Sequence, residues 1–159
     1  LKENITIFFN RNKKIIIFIV ILLTLFLTVA FIWNENQNKK NLLISEKYVR
    51  AGILLSNNEK EKALRIYEEI ILSKNIFYSL LALNTIIEKK LIFNDEKILN
   101  FFSTIEEKIV EEEYLDLVIL KKALFLIKQQ KKETAKELLN VLISKNSKFK
   151  NVAKELIVD

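Results

Sequence analysis

The sequence predicts an all-α protein, a single N-terminal transmembrane helix followed by a short solenoid of paired amphipathic helices. Three observations lead there. An uninterrupted apolar run extends from Ile15 to Trp33. The 159 residues contain one Gly and no Pro, with 50% hydrophobic and 29% charged side chains, a composition that favours helices joined by polar links over strands joined by tight turns. From Leu42 onward, apolar residues recur every three or four positions.

The apolar run is interrupted only by Thr24 and Thr28, whose hydroxyls can bond back to carbonyls of their own helix. At about 1.5 Å per residue it is about 28 Å long, close to the hydrocarbon thickness of a bilayer. A cleaved export signal has an apolar region of about 7 to 15 residues and a small-x-small cut site; here the run is longer and only Thr28-Val29-Ala30 offers a cut. A core helix of a soluble domain would carry a polar face, and this segment has none. The expected organisation is a basic cytoplasmic tail at 1–14, a transmembrane helix at 15–33, a polar juxtamembrane link at 34–41 and a helical domain at 42–159. Ile15 and Trp33 mark the ends of the anchor, with Trp33 at the depth of an interfacial aromatic. Lys2, Arg11, Lys13 and Lys14 precede the span against Glu3 alone, which places the tail in the cytoplasm and the domain on the far side. Nothing in 34–41 breaks a helix, so the anchor is free to run on.

The formal net charge is +6, of which the tail supplies three. The rest of the basic charge alternates with Glu, as in "EKEKALRIYEE" and "KKETAKELL", the pattern of a solvated helix face rather than of a nucleic-acid footprint. Cys and His are absent. That removes disulfides, thiol nucleophiles, imidazole bases and the usual zinc ligands. Glu68-Glu69 and Glu106-Glu107 are adjacent in sequence and so diverge on a helix, and no Gly-rich loop cradles a phosphate. The chain is expected to be a non-enzyme without cofactor or metal.

The helices follow in order. Leu42 to Leu55 and Glu59 to Ser73 form a first pair, separated by a turn at Asn57 or Asn58. Ile76 to Lys90 and Asp95 to Val110 form a second, with Asp95 placed as a cap. Glu111 to Glu113 make an acidic entry, suited to the positive end of a helix dipole, to a third pair, Tyr114 to Ile127 and Lys131 to Ser144. Lys148 to Ile157 closes the array with Phe149, Val152, Ala153 and Leu156 on one side.

Two of these pairs are in register. Ala51 and Leu54 precede Ala63 and Tyr67, and Ala123 and Leu126 precede Ala135 and Leu139; in each, twelve residues separate the first Ala from the second. Seventy-two residues separate Ala63 from Ala135, two periods of 36, which leaves room for a degenerate middle unit. Ala where two helices cross lets the backbones approach, and the larger residue one turn later fills the adjacent groove. "AGILLSNNEKEKALRIYEEIILSKN" resembles a tetratricopeptide unit. The unit's first-helix Trp and terminal Pro are missing; Lys47 and Asn75 stand in their places.

A basic tail, one span, a polar link into "KYVRAGILLSNNEKEKAL" and then "FYSLLALNTII" together resemble the YfgM-like family of bacterial inner-membrane proteins, ancillary subunits of the SecYEG translocon. The likeness covers nearly the whole chain as layout and helix pattern, although this chain is shorter than typical members. It implies a single-pass inner-membrane protein whose periplasmic domain binds a translocon, a chaperone or an exported client. A solenoid offers a concave groove lined by the first helix of each pair; the candidate groove residues are Tyr48, Phe77, Tyr78, Leu81, Tyr114, Val118 and Phe125. Two functional classes stay open: a tethered binding module at the export machinery, or a structural subunit of another envelope complex.

Overall fold

With one glycine and no proline, the chain has few places to stop a helix. In the computed structural model, which describes the backbone of residues 2–158 and the side chains of 14, 15 and 17–157, the first helix does not stop for 55 residues. The elements are α1 (Lys2–Ser56), α2 (Lys60–Ile71), α3 (Ile76–Glu88), α4 (Asp95–Glu106), α5 (Glu112–Lys128), α6 (Lys132–Ser144) and α7 (Lys150–Val158). The protein is all-α, a long apolar N-terminal helix followed by packed helical pairs. Two compact units are distinguished, residues 1–43 and 44–159.

In the first unit the described side chains from Ile17 to Trp33 are all exposed. The Thr24 and Thr28 hydroxyls donate to the Ile21 and Leu25 carbonyls at 2.8 Å, so neither needs a second helix to satisfy it. The polar stretch 34–41 is helical, with Glu35 and Lys39 paired one turn apart at 3.4 Å. Lys14 is exposed; the side chains of Lys2, Glu3, Arg11 and Lys13, on which the expected orientation rests, lie outside the described residues.

In the second unit, four helices end in the same way without glycine. Asn58, Lys90, Gln130 and Asn146 adopt the left-handed conformation, with φ of 63°, 49°, 61° and 56°. In each case the next amide reaches back five residues: Glu59 to Leu54, Leu91 to Ile86, Lys131 to Leu126 and Ser147 to Leu142, at 2.9 to 3.0 Å. These are Schellman closures, which satisfy carbonyls that the last turn leaves open. Helix starts use a different device. Asn75 and Asn94 accept from the amides of Tyr78 and Lys97, both at 3.0 Å. The cap of α4 is therefore Asn94 and not Asp95, which begins the helix and pairs with Lys131 at 3.2 Å. α5 begins at Glu112, two residues before Tyr114, with Glu112 and Glu113 in its first turn. α4 ends at Glu106 rather than near Val110, and the freed residues do separate work. Lys108 Nζ donates to the carbonyls of Ile71 and Ser73 at 3.0 and 3.1 Å, and the buried Ser79 hydroxyl donates to Ile70 at 2.9 Å. Two side chains thus close the C-terminus of α2.

The repeat read in the sequence reappears as the spacing of groups that touch. Tyr48 meets Thr85, Lys108 meets Ile71 and Lys121 meets Asn84, each across 37 residues, and Lys131 meets Asp95 across 36. Ala51, Ala63, Ala123 and Ala135 are buried, as are Tyr67, Leu126 and Leu139, while Leu54 is half-buried. In the middle pair the buried residues twelve apart are Ile86 and Ile98, which is why no Ala signal marks that unit in the sequence. The core lies in two clusters. One gathers α1 to α4 with Val118 and Phe125; the other gathers Leu120, Ala123 and Leu126 with α6 and Ala153 of α7. α5 feeds both and is buried on both flanks.

Candidate partner-binding surface

The surface is built from the first helices of the pairs. α1 and α3 meet where the Tyr48 hydroxyl lies 3.1 Å from Thr85 Oγ1. The Thr85 hydrogen goes to the Leu81 carbonyl at 2.9 Å, so Tyr48 is the donor to Thr85. α3 and α5 meet where Lys121 Nζ donates to Asn84 Oδ1 at 3.4 Å.

Across α1, α2 and α3 the rings form a chain. Tyr67, almost fully buried, stacks edge-on to Tyr48 at 5.7 Å; Tyr48 lies 5.8 Å from Tyr78; Tyr78 meets Phe77 edge-on at 5.2 Å. Such offset and edge contacts are the favoured geometries for ring quadrupoles. Burial grades along the chain, from Tyr67 in the core through half-buried Tyr48 and Tyr78 to Phe77, which is 61% exposed. Burial pushes the Tyr67 hydroxyl above its ordinary range, and neighbouring Tyr48 adds to the effect. The charged flank is supplied by Lys47 and Glu69, paired at 2.8 Å between α1 and α2.

No family model, curated protein or solved structure matches this chain.

Of the candidate groove residues, Phe77 and Tyr114 are exposed, and Tyr48, Tyr78 and Leu81 are half-buried and reachable at their edges. Val118 and Phe125 are corrections. Val118 is fully buried and Phe125 nearly so, its ring 6.1 Å from Phe102 of α4. The physical reason is the position of α5 between α4 and α6: apolar residues on both flanks are consumed by the two core clusters, and Tyr114 in the first turn escapes. An alternating apolar pattern on both sides of a helix signals this, since a helix apolar all round is buried all round.

The paired carboxylates diverge. Glu68 reaches Lys97 of α4 at 2.7 Å, Glu69 reaches Lys47 of α1, and Glu106 reaches Lys122 of α5 at 3.0 Å. Asp116, nearly buried, pairs with Lys145 across the α5–α6 pair. Sequence reasoning missed the cap made by Lys108 and the exposure of Leu72, Phe93 and Val110 at the turns; the only signal for the exposed residues was their place between helices. At the two ends of the apolar run, Ile15 and Trp33 are 59% and 66% exposed. Among the described residues, one helix is long and apolar enough to cross a membrane, as an anchor or a signal sequence.

Proposed function

We propose that the chain is a membrane-anchored protein–protein interaction module, an accessory at the protein-export translocon or in the periplasmic chaperone network, its N-terminus cytoplasmic and its helical domain periplasmic. The observation that carries the reading is the graded ring chain across α1, α2 and α3. Phe77 is held outward by Tyr78, which is braced by Tyr48, which is rooted on buried Tyr67. A large apolar side chain fixed in the open has its rotamer entropy already spent, which suits an anchor for an apolar segment of a partner. The apolar helix supports tethering, and tethering raises the local concentration of the domain, so individual contacts can be weak. The translocon assignment rests on the YfgM-like layout of the sequence. Binding, rather than catalysis, is the role that the lysine-paired carboxylates support.

Mild-detergent purification after in-cell crosslinking, with co-purifying proteins identified by mass spectrometry, tests the reading. Translocon subunits or a periplasmic chaperone at substoichiometric yield is the expected result. A fixed-ratio complex without them overturns it and makes the chain a structural subunit of another envelope assembly.

A further inference from the structure

The clefts at the turns inside the second and third pairs share no residue with the ring chain and have their own character. Between α3, α4 and the end of α5, a cleft of about 350 Å³ is floored by Ile87, Ile92, Ile98 and Phe125 and rimmed by Lys90 and Lys128. Between the end of α5, α6 and α7, a second cleft of about 380 Å³ is floored by Ile127, Leu139, Leu156 and Ile157 and rimmed by Lys132 and Lys136. Both border the α5–α6 turn, and Lys131 joins that turn to Asp95 of α4 at 3.2 Å.

Phe93, at the rim of the first cleft, is 87% exposed. The two turn regions, 88–95 and 128–136, carry six lysines against three acids. Asp95, which lines the first cleft, and Lys131 offset one another as a pair, and Glu133 stands on the rim of the second cleft, so that Lys90, Lys128 and Lys136 make the cationic edges. Each cleft is at the lower end of the range for ligand pockets, about 300 to 1,000 Å³, and each combines an apolar floor with cationic edges.

We infer that these two clefts form a second docking edge, for an acidic polypeptide segment that inserts large apolar side chains between its carboxylates. The inference rests on the reading of the domain as a binding module and adds the chemistry of one partner. The floors remove apolar side chains from water, which supplies the driving force. Lys90, Lys128 and Lys136 meet the carboxylates, which fixes register and makes association sensitive to salt. An anionic bilayer has the right charge, but a flat headgroup layer does not fill receding clefts, whereas side chains of an extended segment do.

The test uses the full chain in detergent micelles and a short fluorescein-labelled peptide in which Glu alternates with Leu and Phe. Fluorescence polarisation is expected to show saturable binding that weakens as salt is raised. The Gln counterpart of the peptide, and the Lys128→Glu/Lys136→Glu variant of the protein, are each expected to bind about tenfold more weakly. Lys62→Glu, an exposed reversal on α2, should leave binding unchanged. Because the reversed lysines are exposed, an unaltered melting curve separates lost binding from lost fold. Equal affinity for the Gln peptide, or equal loss in the Lys62→Glu control, overturns the inference. So does binding of phosphatidylglycerol vesicles through the same lysines with no binding of peptide. Failure of the peptide while crosslinked partners are still captured sinks this edge and leaves the proposed function standing.

Discussion

Ala63 and Ala135 have no exposed surface to speak of, and both sit where a second helix of a pair packs into the core. Three extra heavy atoms at Ala63 have nowhere to go, so Ala63→Leu is expected to cost about 1 to 3 kcal/mol through overpacking, read as a lowered melting temperature. An unchanged melt would show that the crossing is not tight there. Tyr67 makes a prediction in pH. Burial holds its hydroxyl neutral and its pKa above the ordinary 10.0, so between that value and the folded value the native state binds more protons than the unfolded chain. Stability from this group is fully present below pH 10 and is lost as pH rises through the folded pKa. Lys108 acts in the opposite direction, since burial lowers its pKa, and it is common to both proteins when the parent is compared with Tyr67→Phe. Alkaline melts should therefore fall less steeply for Tyr67→Phe than for the parent; parallel curves would remove the assigned cause.

At the scale of elements, the turns rather than the helices carry the unusual chemistry. Gln130 holds a left-handed conformation with a β-carbon, at a cost of about 1 to 2 kcal/mol, against about 0.5 to 1 kcal/mol lost when Gly adds freedom to the unfolded chain. The first term is larger, so Gln130→Gly should stabilise by about 0.5 to 1 kcal/mol. Chemical denaturation measures this, and a destabilised variant would contradict the Schellman closure. Helix existence was legible in the sequence because one long apolar run opens the chain and a 3.6-residue apolar period marks α2, α4, α6 and α7. Boundaries were less so. Asn94 rather than Asp95 is the cap, one residue before the first helical position, and α4 ends at Glu106 while Lys108 beyond it reaches the open carbonyls of α2, a partner 37 residues away. Exposure was legible at Phe77 and Tyr114, at the starts of α3 and α5, and burial was illegible at Val118 and Phe125, where it depends on a neighbour on each side.

For the whole molecule, the proposed function gives location to the apolar helix and recognition to the helical domain. Residues 17–33 present apolar side chains on every side, and only a bilayer or another apolar partner removes them from water. Deleting residues 1–33 is expected to move the protein from the membrane pellet to the carbonate-soluble fraction, while the full chain resists carbonate; extraction of the full chain would argue against an anchor. A photo-crosslinking amino acid placed at Phe77 in the full chain, in native membranes, tests recognition by the ring chain, with the same group at exposed Val152 as control. Covalent adducts to another protein are expected from position 77 and few from position 152. Equal labelling from both, or none from position 77, would contradict recognition there.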